Sequence, residues 1–161
     1  MNLYHKLMDS FARTRVGGWL FLRLVSPMDQ FLIPLTNGAL NSCIGTEFYH
    51  NLVLLNSVGA KSGKKRSVAV LSTSFEGRFA LIATAAGHKN HPGWYYNLKA
   101  HPKCSLLIRQ KGMIPCVARE AEGDEREQAW VAANTLYDDL MAVYQSRVSR
   151  KIPIMILSPK N

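Results

Sequence analysis

Residues 51–87 read NLVLLNSVGAKSGKKRSVAVLSTSFEGRFALIATAAG, and the fold is decided there. Three runs of β-forming residues, 51–57, 66–74 and 78–85, alternate with glycine-containing connections. Glu76-Gly77 is short enough to close a hairpin, because glycine accepts the positive φ that tight turns demand. Lys111-Gly112 does the same between runs 104–110 and 113–121, and the apolar run 152–157 suits a closing strand. Strands joined by such short links are antiparallel neighbours.

Helices are expected around these strands. Apolar residues between Tyr4 and Leu35 (Leu7, Met8, Phe11, Leu20, Leu22, Leu24, Phe31) predict two or three short helices broken near Gly17-Gly18 and Pro27. Thr36-Asn37-Gly38 then reads as a turn. Between the third and fourth strands, residues 87–102 predict a loop and a short helix stopped before Pro102. After Gly123, Asp124 is the expected N-cap, with Glu125 and Glu127 in the first turn. Ala129, Trp130, Ala133, Leu136, Leu140 and Val143 then recur at helical spacing, which predicts one long amphipathic helix. Five or six antiparallel strands with such helices fit a small barrel, mainly β within an α+β class. The expected organisation is a single domain over 1–161, with a helical cover at 1–40 and the barrel at 50–161.

Composition narrows the function. The 161 residues are 47% hydrophobic and 19% charged, the balance of an ordered chain. Cys43, Cys104 and Cys116 are odd in number and lack C-x-x-C spacing, which points to a reducing cytoplasm. The start lacks the apolar region of a secretory signal, and the stretch from Trp19 to Val25 is too short to cross a bilayer. Peripheral attachment to the inner face of a membrane stays open for the apolar N-terminal segment. A net charge of +9 favours anionic ligands, nucleic acid or an acidic surface. Aromatics are not interleaved with the basic residues, and no helix-turn-helix, RRM or zinc motif appears, so nucleic-acid binding is the weakest of the three.

Several segments can carry chemistry. The turn at 57–66 (SVGAKSGKKR) can hold a phosphate or carboxylate on backbone N–H groups and basic side chains, with Lys61, Ser62 and Arg66 as candidates; alternatively it is a solvated hairpin tip. It lacks P-loop spacing. The small residues Thr84, Ala85, Ala86 and Gly87 let a flat ligand approach the backbone or simply pack well. His91 and Trp94 belong to the most aromatic local segment, divided between core and pocket wall. His88, His91 and His101 lack acidic or thiol companions at a ligand spacing, so no metal is expected. No G-x-S-x-G serine or paired cysteine suggests a protein nucleophile. Tyr137 and Tyr144, seven apart on the predicted helix, can face a substrate or the core.

Two of these segments resemble family signatures. Gly59-Ala60-Lys61-Ser62-Gly63-Lys64-Lys65-Arg66 is similar to the G-R-K-S-G-x-x-R turn, and His91-Pro92-Gly93-Trp94-Tyr95-Tyr96-Asn97-Leu98 to H-P-x-W-Y-x-N-L, of the deazaflavin (F420)-dependent nitroreductase and quinone reductase family. The resemblance runs from Leu35 to Ile154. It implies a split β-barrel of the FMN-binding superfamily and a bound 8-hydroxy-5-deazaflavin coenzyme, F420, whose tail carries a phosphate and glutamates. By that resemblance, Lys61, Ser62 and Arg66 contact the tail, and Thr84 lies beside the coenzyme. Tyr144, in Tyr144-Gln145-Ser146-Arg147, lines the acceptor site.

The activity implied is hydride transfer from reduced F420 to a quinone, nitroaromatic or other electron-poor small molecule. The alternatives are an FMN-binding protein or a flavin carrier, as a monomer or homodimer. Ala60 stands where the family has arginine, Ala69 where it often has proline, and its tyrosine followed by paired prolines is missing.

Overall fold

A computed structural model describes residues 10–11, 13–20, 23, 26–44 and 46–160 of the chain. The expected helical residues Leu7, Met8, Leu22 and Leu24 lie outside the described residues.

The strands are β1 (Leu52–Val58), β2 (Lys65–Phe75), β3 (Arg78–Ile82), β4 (Lys103–Ile108), β5 (Gly112–Glu120) and β6 (Ile154–Pro159). They close into a six-stranded split barrel in the order β1-β2-β3-β6-β5-β4, with every neighbouring pair antiparallel. The two hairpins turn where glycine was read: Glu76 and Gly77 take φ of 49° and 73°, and Gln110 and Gly112 take 62° and 72°. The two-residue period of the strands sorts their side chains between two faces. Val53, Leu55, Leu81, Leu106, Met155 and Leu157 fill the barrel interior, joined by Trp94 and Leu98. Burying each such large side chain contributes about 1.5–3 kcal/mol. Leu52 and Leu54, on the opposite face of β1, are also buried, against Ile33 and Leu107.

The helices are α1 (Arg15–Leu20), α2 (Ser26–Leu35), α3 (Gly93–Ala100), α4 (Gly123–Leu136) and α5 (Leu140–Gln145). Three expectations are corrected. Gly17 and Gly18 lie inside α1 rather than at a break, whereas a helix does begin beside Pro27, which is the second residue of α2, where its missing N–H leaves no helical bond unmade. Glu122, not Asp124, holds the N-cap position of α4, and Gly123 has a φ of 54°. The long C-terminal helix is two helices. Asp138 and Asp139 are left-handed (φ 48° and 60°), a conformation that short polar side chains tolerate. Asn134 secures the break: its amide nitrogen donates to Asp139 Oδ1, and its Oδ1 accepts from the Ala142 N–H at 2.9 Å.

One polar tie within the flanking chain and one close backbone approach to the barrel position that chain. The fully buried Asp29 of α2 accepts from the Ser42 N–H (2.8 Å) and the Ser42 hydroxyl (2.5 Å). Gly38, at φ 80°, follows α2 so closely under β4 that a Cβ there would lie 2.9 Å from the Arg109 Cα. None of the described helices is long and apolar enough to cross a membrane.

Candidate functional site

A cavity of about 540 Å³ runs along β2. Arg66, Ser67, Val68, Ala69, Val70 and Leu71 line it, with Ser57 from β1 and Ile82 from β3. Pro92, Gly93, Trp94 and Asn97 of the α3 region, Thr84-Ala85-Ala86, and Tyr137, Met141 and Tyr144 also line it, with Gly18 of α1 and Gln30 of α2. Its volume lies within the range of small-molecule sites, roughly 300–1,000 Å³, and its wall is mostly apolar with few polar groups.

The basic turn stands at this cavity but differs from a simple backbone cradle. Its amides are largely committed internally: Gly59 N–H donates to Lys64 O (2.8 Å), and Gly63 N–H to Gly59 O (2.9 Å). Ala60 N–H donates to Asn97 Oδ1 (2.9 Å), which pins the root of the turn to α3. The Ser62 hydroxyl accepts from the Lys64 N–H at 3.3 Å. A Cβ at Gly59 would come within 2.5 Å of Ser62 Oγ, so a larger residue there would turn the exposed Ser62 side chain away from the turn. Lys61 and Ser62 are exposed at the tip, whereas Arg66 reaches the cavity.

Thr84 to Gly87 form a tight turn beyond β3, not the end of an extended strand. Ala85, Ala86 and Gly87 are all left-handed, at φ 47°, 52° and 76°. Such a conformation at two alanines is strained and persists only where surrounding contacts hold it. Two arginines do so. Arg147 donates to Ala86 O at 3.3 Å, and its guanidinium lies 5.2 Å above the Tyr144 ring. Arg150 donates to the carbonyls of Thr84 (3.2 Å), His88 (3.0 Å), Lys89 (3.1 Å) and Asn90 (3.3 Å). Desolvation lowers the pKa of this guanidinium from its ordinary value. Thr84, Ala85 and Ala86 line the main cavity; Gly87 packs against Arg147 and lines a neighbouring one.

Trp94 is buried and forms cavity wall and core together. His91 lies elsewhere, in a smaller depression with Tyr95 and Glu120, and its Nδ1 is 3.0 Å from an Arg150 nitrogen. Burial and the Arg150 charge lower its pKa.

The two tyrosines meet in the cavity wall despite the break between their helices. Tyr137 is buried and donates to the backbone oxygen of Ser72 at 2.6 Å; burial raises its phenol pKa. Tyr144 is buried beneath Arg147. Sequence reasoning missed Ser57, Asn97, Met141 and Arg150. Asn97 was legible within the His91–Leu98 signature and Ser57 opens the basic turn at 57–66, but Met141 and Arg150 carry no local signal.

Comparison with known proteins follows the same lines. Residues 36–159 match the family model described as F420H(2)-dependent quinone reductase. An F420H(2)-dependent quinone reductase of Mycobacterium tuberculosis is 29% identical over 66% of this chain and 72% of its own. A second protein of that organism, described as a putative F420H(2)-dependent quinone reductase, is 32% identical over 67% of this chain and 89% of its own. A solved F420-H2 dependent reductase, FDR-A, superposes with a TM-score of 0.61 at 40% identity, covering 67% of this chain and 94% of its own. The haem storage protein HutZ of Vibrio cholerae, at 14% identity and a TM-score of 0.52, shares the fold alone. With the family model spanning the whole barrel and both signature segments at one cavity, the chain belongs to the F420H(2)-dependent quinone reductase family.

Proposed function

We propose that this chain binds reduced F420 in the cavity along β2 and uses it to reduce a quinone or another electron-poor unsaturated small molecule. Family membership supports an F420-dependent oxidoreductase. The observation that carries the assignment to this cavity is its continuity: one 540 Å³ space joins Arg66 of the basic turn, the Thr84-Ala85-Ala86 backbone, Trp94 and Tyr144. The residues fit such a coenzyme. Arg66 and the exposed lysines of the turn offer positive charge to an anionic tail, and the small residues at 84–86 let a flat ring approach the backbone.

When bound, the coenzyme supplies the hydride. The protein holds the two reactants in register and excludes water. Val68, Val70, Ile82 and Met141 give the cavity its apolar wall, and Trp94 limits one side. Tyr144 lines the acceptor end, where its phenol, beside the Arg147 cation, stabilises negative charge developing on the acceptor oxygen. Tyr137 shapes that end with its hydrogen committed to Ser72.

The test is anaerobic titration of the protein with reduced and oxidised F420, with FMN in parallel, followed by addition of a soluble quinone. Binding of F420 and quinone-dependent recovery of the oxidised coenzyme's absorbance are expected. Binding of FMN alone would overturn the coenzyme assignment, and binding of neither would overturn the enzyme assignment.

A further inference from the structure

A second cavity, of about 680 Å³, opens beside the first, and the two share Ala86. Ala86 and Leu71 pack against Tyr144, whereas Arg66 lies five positions back along β2, about 17 Å from Leu71. The second cavity therefore adjoins the end of the first that is remote from the basic turn. Arg15, Val16 and Trp19 of α1 line it together with Lys89 and Arg147, while Gly18 of the same helix lines the first cavity. The helix is fastened at this place. Arg147 donates to the carbonyls of Ala86 (3.3 Å) and Arg13, and Arg13 donates to the Asp138 carbonyl at 2.7 Å. Val16 and Trp19 stay 63% and 49% exposed, an apolar floor with nothing described upon it. No acidic side chain lines this space among the described residues, and Arg23 lies 5.7 Å over the Trp19 ring. Arg15, Arg23, Lys89 and Arg147 have no ion pair with a described carboxylate. Cations gathered in this way repel one another, and a bound anion offsets that repulsion.

We infer that the second cavity holds the outer part of the acceptor, and that the acceptor is a quinone carrying an anionic side chain. This rests on the reading of the first cavity as the coenzyme site. The redox ring lies against Tyr144 in the first cavity, and the side chain passes Ala86 into the second. There its apolar part covers Val16 and Trp19, and its carboxylate or sulfonate meets Arg15 and Lys89. Arg147 borders both spaces, with its guanidinium over the Tyr144 ring. The quinone gains the hydride and one proton and leaves as the hydroquinone with its side chain unchanged, while the coenzyme is oxidised. Residues 15–20 precede the segment 36–159 shared with the family, so α1 governs which acceptor enters and not which coenzyme is used.

The experiment uses a naphthoquinone bearing a propanoate side chain and its uncharged methyl ester, which share one redox ring. Their reduction by F420H2 is followed in the wild type, in the double variant Arg15→Ala/Lys89→Ala and in Trp19→Ala, at two salt concentrations. In the wild type the KM for the acid is expected to lie about tenfold below that for the ester, with the gap narrowing at high salt. The double variant should close the gap by raising the KM for the acid, and Trp19→Ala should raise the KM for both. Naphthylpropanoate, which cannot accept hydride, is also titrated calorimetrically into the protein with and without saturating F420. It is expected to bind both states, about tenfold more weakly in the double variant. Equal KM values for acid and ester, a gap that survives the loss of both cations, or displacement of naphthylpropanoate by F420 overturns the inference. Reduction of neither quinone overturns the proposed function instead, and the calorimetric titration still judges the anion site.

Discussion

The phenol of Tyr137 donates its hydrogen to the backbone oxygen of Ser72 at 2.6 Å, joining the break between α4 and α5 to β2. Deleting that hydroxyl in Tyr137→Phe should lower stability by about 1 kcal/mol. Burial raises the phenol's pKa, so the unfolded chain ionises first. The contribution is complete below the ordinary phenol value of about 10 and is lost as pH rises beyond it. Melting temperatures measured from neutral to strongly alkaline pH should therefore fall less steeply in Tyr137→Phe than in the wild type.

Tyr144 lies in the same wall with the Arg147 guanidinium 5.2 Å above its ring. If its phenol stabilises charge on the acceptor, Tyr144→Phe lowers kcat by about 10- to 100-fold. F420 affinity changes little by comparison. Steady-state quinone reduction alongside equilibrium titration separates the two, and an unchanged kcat removes Tyr144 from the chemistry.

Ala86 and Gly87 are both left-handed, but they should respond oppositely to substitution. Ala86→Gly removes a Cβ penalty and is expected to stabilise the protein by about 1 kcal/mol. Gly87→Ala adds a Cβ that would lie 2.7 Å from the Arg147 Cδ and 3.1 Å from the Tyr144 carbonyl, so it is destabilising. It also displaces the Arg147 clamp and weakens ligand binding. Chemical denaturation of the two variants checks the sign of each change.

Arg150 gathers the carbonyls of Thr84, His88, Lys89 and Asn90, with Nη2 on Thr84 and His88 and Nε on Lys89. Arg150→Met should destabilise the fold by about 2–3 kcal/mol and loosen the turn at residues 84–87, which under the proposed binding mode raises the Kd for F420. Arg150→Lys is expected to rescue little, because an ammonium cannot reproduce the planar fork. Full rescue by lysine would assign the effect to charge alone.

Glu125 accepts from Arg119 through both oxygens, at 2.6 and 2.7 Å, and from Arg78 at 2.8 Å. The Arg119 hydrogen bonds, followed by the one from Arg78, hold its carboxyl below the usual range. Its stabilisation is therefore present above the ordinary value of about 4.3 and is lost as pH falls. Glu125→Gln should lower stability by about 1 kcal/mol at neutral pH, with the difference closing in acid. Thermal melts across that range provide the check.

The strands were legible because their signal is local. Alternation such as Val53, Leu55 and Ser57 needs only the two-residue period of a pleated chain, and Glu76-Gly77 announces its own turn by the φ it must adopt. The C-terminal helix misled for a related reason: its apolar spacing continues through Leu136 and Leu140, while its interruption depends on Asn134 bonding both Asp139 and Ala142. Side-chain commitments of that kind leave no periodic trace.

By itself, the sequence determined the strand positions, the hairpins and the two signature segments, since residue size, hydrophobicity and φ preference act over a few residues. Tertiary structure decided which of those segments share a space. Ser57 meets Arg66 only through the β1–β2 register, and Thr84 meets Tyr144 only because the barrel closes and α4 breaks. The commitment of the basic turn's amides to Asn97 and to one another was likewise decided there. Hydrogen bonds and cavities join groups far apart along the chain, and their geometry exists only once the long-range contacts that create it have formed.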